Sequence, residues 1–447
     1  MIDKTHLNKI FRKIKSRIIT DISFVPGIIV LGFFILAIIV FNTKNSVVEE
    51  FIINFLPILE IDDTSTARAI YTTAAGGIIS LTVFSFSMVM IVLNQAASNL
   101  SNRLLSGILS EKHHQITLGI YIGTIVYCFL MLYQVRASQS EQGDISTLGV
   151  FLCILMVLAD IFLFIYFLNY VTQSVNYSRI IHKIHMSTKN KLNESIEDQI
   201  DRDEYQEDWM VSSLNNWYPV NSKETGYYQG IQKVNIGRIV GENGLKIYIP
   251  FQRGDFVVSG TPLLYLNMPI KNIQDETINE ILNCFDFFND QIIHTHFTYG
   301  FTRLTEIAVK ALSPGINDPA TALSCIHSLT DLHSICIYKM DKPVIYTDEG
   351  DPVVFIEPLK FEHLFRSSFD PIVNYGKADY QILYNVLKSI EKLLFLDEKR
   401  KYYNDIFNEY IDLLLTKAEK HLENPYEINR ITSLSRTLRS KIKPEPL

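Results

Sequence analysis

The chain reads as an α-helical membrane protein: four transmembrane helices, followed by a cytosolic α+β half in which a small β-barrel-like module precedes a mainly helical domain. Two observations predict this class. Four long apolar runs fill the stretch up to Val171, and Lys and Arg collect on the flanks that one side of a membrane would select. Beyond that point charge returns, and apolar residues recur first at strand-like and then at helix-like spacing.

A spanning helix needs about 20 mostly apolar residues, because roughly 30 Å of hydrocarbon is crossed at about 1.5 Å per residue. The first run, Phe24 to Phe41, carries no charge and is rich in Ile, Val, Leu and Phe. The second runs from Ile70 to Leu93, the third from Ile116 to Val135 and the fourth from Leu148 to Val171. A soluble core helix rarely stays apolar on every face for so long. These limits define a basic cytosolic tail over 1–22 and a four-helix transmembrane domain over 23–171.

Orientation follows from Lys and Arg near the span ends. The N-terminal tail holds Lys4, Lys9, Arg12, Lys13, Lys15 and Arg17, and the segment after the fourth span holds Arg179, Lys183, Lys189 and Lys191. The first and third loops are acidic, with Glu49, Glu50, Glu60, Asp62 and Asp63 in one and Glu141 and Asp144 in the other. Both termini are therefore expected in the cytoplasm. A cleaved signal peptide fits less well, since the first run is long, no small-x-small site follows it, and three more spans do. Cys128, Cys153, Cys284, Cys325 and Cys336 include no C-x-x-C pair, and two lie inside spans, so they are expected as buried thiols and not as a disulfide framework.

The second span differs from the others. Thr66, Thr73, Ser80, Ser87, Asn94 and Ser101 recur every seven residues, and Ala69, Gly76, Val83, Met90 and Ala97 fill the intermediate positions. A seven-residue repeat holds one stripe of a helix toward one neighbour through a left-handed crossing. Two readings fit. Small residues let helix backbones approach and hydroxyls bond across the contact, which makes a packing seam. Small, weakly polar side chains also line water-filled paths. Thr73, Gly76, Ser80, Ser87 and Asn94 are the candidates for either role.

Asp160 is the carboxylate set well inside a span. An acid there is costly to bury and marks a candidate ion- or proton-handling position, or else a protonated group bonded to a nearby hydroxyl.

Residues 172–225 read as a charged helical linker in which His182 and His185 lie three apart on one face. Two histidines without a third ligand make a poor metal site, and a solvated face is the expectation. The small β module covers 226–270: Gly226 to Gly230 opens it, Gly241 to Gly244 reads as a turn between strands, and Leu245 to Ile249 alternates as a half-buried strand. The run Gly254-Asp255-Phe256-Val257-Val258-Ser259-Gly260-Thr261-Pro262-Leu263 is similar to the tight turns of biotinyl/lipoyl-type barrels, where glycines supply positive φ. The Lys-centred hairpin that carries the prosthetic group in such carriers is missing, so only the shape is expected.

Residues 271–447 read as a mainly helical domain. Asp275 to Phe288 and Phe301 to Leu312 have helical spacing. Pro314-Gly315 then stops a helix, Asp318 is a ready N-cap, and Pro319 suits the first position of a helix running to Ile337. Val344 to Ile356 reads as a β-hairpin, and helices follow from Phe361 to the C-terminus.

The segment Ala311-Leu312-Ser313-Pro314-Gly315-Ile316-Asn317-Asp318-Pro319-Ala320-Thr321-Ala322-Leu323, preceded by Arg303 and Ala308, resembles the hallmark of a large bacterial family of membrane proteins catalogued only as a domain of unknown function. Its other motifs are matched in order by Ala97-Ser98 with Arg103-Leu104-Leu105, by Gly226-Tyr227-Tyr228-Gln229, and by Arg253 to Val257. The family's acidic Asp-Pro stretch before the signature helix is replaced by His296-Phe297-Thr298-Tyr299-Gly300. The resemblance implies a multi-pass protein of the bacterial inner membrane and no particular activity.

Arg303, Glu306, Ser313, Pro314, Gly315, Asn317, Asp318 and Pro319 are the candidate residues of the signature loop. A buried Arg303–Glu306 pair gripping the loop would account for them structurally. A small ligand or anion at the helix N-terminus is the other reading. No nucleophile–base pair, P-loop, dinucleotide fingerprint or zinc pattern occurs, so neither enzyme activity nor a metal or organic cofactor is expected. A formal charge of −7 argues against nucleic acid. The lipid bilayer, a second copy of the chain, and an ion or small-molecule ligand are the partners considered. The expected function is a homo-oligomeric, channel-like conduit with the second span lining or gating the path. The alternative is a membrane-anchored sensor or scaffold whose cytosolic half binds a ligand or protein.

Overall fold

The computed structural model describes residues 24–42, 63–99, 112–137, 146–174, 176–194, 199–201, 216–288, 296–341, 344–347, 349–398 and 401–442. The basic tail, the first and third loops and the Arg103-Leu104-Leu105 motif lie outside these residues, as do Ser101 and the acidic run 202–208. The chain divides into two compact units, Met1–Asn176 and Tyr177–Leu447.

In the first unit the four apolar runs form helices: α1 (Phe24–Asn42), α2 (Thr64–Asn99), α3 (Lys112–Ala137) and α4 (Thr147–Ser174). Each contains a stretch long and apolar enough to cross a membrane, Phe24–Phe41, Thr64–Val92, His113–Val135 and Thr147–Tyr170. Asp63 starts α2 as an N-cap, its carboxylate accepting from the backbone N–H of Ser65 at 3.0 Å and of Thr66 at 3.2 Å. α3 is central and packs on the other three. Its Tyr127, Cys128 and Met131 join Ala37 and Val40 of α1, Tyr71 and Ala75 of α2, and Val150 and Cys153 of α4 in one core. The Tyr127 hydroxyl donates to the carbonyl of Gly149 at 3.0 Å, which satisfies a buried phenol.

α1 approaches α3 where α3 carries Gly119 and Gly123, four residues apart. A β-carbon at Gly119 would lie 3.0 Å from the Pro26 backbone, and one at Gly123 would lie 2.7 Å from the Phe33 ring. This is the small-xxx-small route to close helix contact in lipid. The outer faces carry Ile28, Leu31, Ile35, Val83, Phe84, Phe86, Phe129, Phe162 and Ile165, all exposed. An apolar surface of that extent fits hydrocarbon and not water.

The second unit begins with α5 (Tyr177–Glu194). Within the stretch read as a charged helical linker, this helix buries Ile181, Ile184, Thr188 and Leu192 on one face. After β1 (Gln199–Asp201) and β2 (Tyr218–Asn221) come β3 (Gly226–Ile231), α6 (Lys233–Glu242), β4 (Ile247–Ile249), β5 (Phe256–Val257) and β6 (Pro262–Leu266). Then follow α7 (Asp275–Asn283), β7 (Phe285–Phe288), α8 (Thr298–Ala311), α9 (Pro319–Cys336), β8 (Lys339–Asp341), β9 (Val344–Tyr346) and β10 (Pro352–Ile356). The chain closes with α10 (Phe361–Tyr375), α11 (Tyr380–Asp397), α12 (Asn404–His421) and α13 (Pro425–Ile442).

The strands form a five-stranded sheet, β2-β6-β4-β10-β9, a three-stranded sheet, β5-β3-β7, and the pair β1-β8. The pairings are antiparallel except β10 on β4. Among the described residues these are open sheets and not the closed barrel the turn pattern suggested. Tyr228, Val240, Ile247, Ile249, Val257, Leu264, Phe285 and Val354 fill the core shared by the five- and three-stranded sheets. Gly254 and Gly260 do supply positive φ, +101° and +89°, at the expected turns.

Two local expectations are corrected. Gly241 to Gly244 forms the C-terminal end of the helix α6 and leads into β4, so it does not join two strands; Ile236, Ile239 and Val240 at helical spacing hold α6 in the core. The helix expected over Asp275 to Phe288 stops at Asn283, and Phe285 to Phe288 pairs with β3 instead. Aromatic residues favour a pleated sheet surface, and here a partner strand was at hand. The expected hairpin over Val344 to Ile356 is present as β9–β10.

Candidate functional site

The signature segment is a helix–turn–helix joint whose polar atoms are largely committed to the joint itself. The Ser313 hydroxyl donates to the Lys310 carbonyl at 2.7 Å, and the Ile316 and Asn317 N–H groups donate to the Ser313 carbonyl at 3.0 and 2.9 Å. The Asp318 N–H reaches back to the Ala311 carbonyl at 2.8 Å. Asn317 takes φ +47°, a left-handed conformation that Asn tolerates better than most residues. Asp318 caps α9, accepting from the Thr321 N–H at 3.1 Å and the Thr321 hydroxyl at 2.6 Å, with Pro319 in the first turn. Arg303 is buried and donates to Glu306 at 3.2 Å along α8. Pro314, Gly315 and Asn317 stay exposed.

Three motifs that are separate in the sequence meet in this unit. The Gly254 N–H donates to the Tyr228 carbonyl at 2.8 Å, and the Tyr228 N–H donates to the Asp255 carbonyl at 2.9 Å, joining the Gly226–Gln229 and Arg253–Val257 stretches. The buried ring of Tyr299 packs over Gly254. Burial pushes the Tyr299 phenol up, against the pull of Gln229 and Arg253 beside it. Next to Tyr299, Gly300 lies under Thr188 of α5; a β-carbon there would come within 2.7 Å of the Thr188 side-chain carbons. The rings of His182 and His185 of α5 lie 6.5 Å apart, and His185 also bonds Asp331 of α9 at 2.7 Å, beside Lys189 at 2.8 Å. Burial raises the Asp331 carboxyl, but the hydrogen bonds from Lys189 and His185 outweigh it and hold the group below the usual carboxylate range.

In the membrane unit the seven-residue stripe faces outward. Thr66, Thr73, Ser80, Ser87 and Asn94, with Ala69, Gly76, Val83 and Met90 between them, are all exposed. The opposite face, with Ala67, Tyr71, Ala75, Ile78 and Ser85, is buried. A β-carbon on Gly76 would meet nothing within 4 Å. The Ser80 and Ser87 hydroxyls donate to the carbonyls of Gly76 and Val83 in their own helix, at 3.0 and 2.8 Å.

The polar interior of the unit is elsewhere. Asp160 of α4 is 0 % exposed, as are Tyr121 and Thr124 of α3, and Ser85 of α2 is buried beside them. The Thr124 hydroxyl lies close enough to Asp160, and the Ser85 hydroxyl to Tyr121, to act as hydrogen-bonding partners, and Tyr121 lies within coulombic range of Asp160. Cys128 and Cys153 come next, their sulfurs 3.5 Å apart; none of the five cysteines forms a disulfide, and all are buried. The sequence pointed to Asp160 alone. Tyr121, Thr124 and Cys128 at helical spacing on the third span were the readable signal for the rest.

These features define a membrane protein with four apolar helices, followed by a unit that is mostly helical with some strands. The chain belongs to the family described as "Predicted membrane protein (DUF2254)", whose model matches residues 20–392. It is similar to the uncharacterized proteins Mb1321c of Mycobacterium bovis and Rv1290c of Mycobacterium tuberculosis, 22% identical to each over 330 residues, or 72% of this chain. The chain spans 62% of the length of those relatives. No solved structure matches it.

Proposed function

We propose that the chain is a homo-oligomeric conduit of the bacterial inner membrane, in which α2 lines or gates the path and the cytoplasmic second unit regulates it. The observation that carries this reading is the outward stripe of α2. A heptad of small and hydroxyl-bearing residues is suited to a neighbouring helix, yet in the unit it packs against none of the other described helices. A second copy of the chain supplies the same stripe, so a cyclic assembly brings α2 helices together around an axis. Basic flanks at the tail and after the fourth span support cytoplasmic termini.

The test is ion flux through proteoliposomes holding the full-length protein, beside a Ser80→Leu/Ser87→Leu variant. Flux that the variant abolishes or alters supports the conduit. Unchanged permeation and unchanged assembly in the variant sink it. Ser80→Cys offers a second readout, because the native thiols are buried: oxidation in membranes should yield a crosslinked dimer, and monomer alone counts against oligomerisation through this face.

A sensor or scaffold is the second reading, favoured by the separate core of Tyr177–Leu447. It predicts that a fragment from Asn176 onward folds and binds its partner alone. Failure of that fragment to fold weakens it.

A further inference from the structure

We propose that His113 and His114 of α3 with Tyr166 and Tyr170 of α4 form a docking site for a membrane phospholipid. The four side chains hold its phosphate by hydrogen bonds, and an acyl chain lies along the exposed face of α4. The site belongs to one copy of the chain and does not rest on the conduit reading.

The four side chains meet at one end of the helix bundle. The ring of Tyr170 lies 5.1 Å from that of His113 and 5.3 Å from that of His114. Tyr166 stacks on Tyr170 at 6.3 Å, and its hydroxyl comes within 3.4 Å of His113 Nδ1. Buried Phe167 packs edge-on against His114 at 5.7 Å. His113 and Tyr166 are exposed, and His114 and Tyr170 are half-buried. The apolar stretch of α3 begins at His113, and that of α4 ends at Tyr170. The cluster therefore stands where hydrocarbon gives way to headgroups, the level at which amphipathic rings settle.

Tyrosines alone would only mark that level, and the imidazoles add recognition. A histidine ring carries an N–H donor in either protonation state, and a phenol carries an O–H. With Nδ1 of His113 turned to Tyr166, its Nε2 remains for a second partner. Phosphate oxygens accept such bonds, and an ionised acceptor makes them roughly twice as strong as neutral ones. Little opposes an anion here. Asp160 is the only carboxylate in α1 to α4, and it is buried. It precedes Tyr166 by six residues, or about 9 Å along the helix. The acyl chain has its own track: Leu158, Ile161, Phe162 and Ile165 recur at helical spacing, are 44 to 72 % exposed, and share their face with Tyr166. One continuous surface thus runs from the hydrocarbon-facing side chains to the hydrogen-bond donors, which matches the two ends of a phospholipid.

The test uses the purified full-length protein in dodecyl maltoside, a detergent without phosphate. Dioctanoyl phosphatidylglycerol should raise the unfolding temperature to a plateau and give an adduct in native mass spectrometry. Dioctanoylglycerol, with the same chains and no phosphate, should do neither, and nor should inorganic phosphate. His113→Phe/His114→Phe keeps both rings aromatic and removes their donors. It should need about tenfold or more phospholipid for the same shift, the worth of one hydrogen bond to a charged group. Tyr133→Phe, on the exposed surface toward the other end of α3, should behave as wild type. Should the double variant fail to fold, Tyr166→Phe, which keeps its ring and loses one hydroxyl, decides by the same shift. An equal shift from dioctanoylglycerol would reduce the site to an apolar face, and one from inorganic phosphate would reduce it to an anion site; either overturns the proposal. Wild-type affinity in the variants that lack donors overturns it, as does a wild type that shows no shift and no adduct.

Discussion

Gly123 of α3 lies directly against the ring of Phe33 of α1, so that a β-carbon on Gly123 would come within 2.7 Å of two ring carbons. The first membrane helix therefore packs on the third by backbone approach. Gly123→Leu should force the helices apart at an overpacking cost of about 1–3 kcal/mol. Thermal unfolding of the full-length protein in detergent should show the drop, and Gly76→Leu, on the exposed face of α2, should not. Equal effects from the two would place the contact wrongly.

A similar contact holds α5 to the rest of its unit. Gly300 of α8 has no room for a side chain beneath Thr188, so Gly300→Ala should destabilise by roughly 1–3 kcal/mol. Thr188→Gly in the same chain should recover part of that loss, because residues in contact couple. Strict additivity in denaturant titrations of the single and double variants would contradict the contact.

Asp318 caps α9 through Thr321. Asp318→Ala should cost about 1 kcal/mol and Asp318→Asn less, since an amide oxygen can still accept. A shift in urea midpoint that is the same for both would show that the carboxylate does something other than cap.

His333 is enclosed by Phe301, Phe361, Phe365 and Phe369, with ring centroids 4.9 to 5.5 Å away, and neither nitrogen has a hydrogen-bond partner among the described residues. Burial pushes its imidazole down from 6.5 to about 3. The unfolded chain therefore binds a proton below about pH 6.5 that the folded chain refuses. Stability present above that pH is lost as the pH falls toward 3, at up to about 1.4 kcal/mol per pH unit. His333→Leu should flatten this acid limb while leaving stability near pH 7.5 equal or higher. Denaturant midpoints measured across the range would show it, and parallel curves for the two proteins would refute it.

Much of this was legible along the chain because it is written in local physics. Length and apolarity locate a spanning helix without reference to its neighbours, and the four runs became α1 to α4. Capping chemistry acts over three or four residues, so Asp318 and Pro319 announced the start of α9. Gly254 and Gly260 marked their turns because positive φ is a property of single residues. Phe285 to Phe288 was misread because its pairing depends on β3, more than fifty residues earlier in the chain.

What the sequence alone determined is therefore the class, the spans, the caps and the signature joint: features decided by a residue's own conformational preference or its transfer from water to lipid. Only the tertiary structure decided which way each helix faces. It turned the α2 stripe outward, buried one face of α5, and brought Asp160 near Thr124 and Tyr121. The physical reason is that 3.6 residues per turn distribute side chains around the whole axis. Which of them meet is settled by the close approach that Gly119 and Gly123 permit and by the packing around α3, and no spacing within one helix encodes that contact.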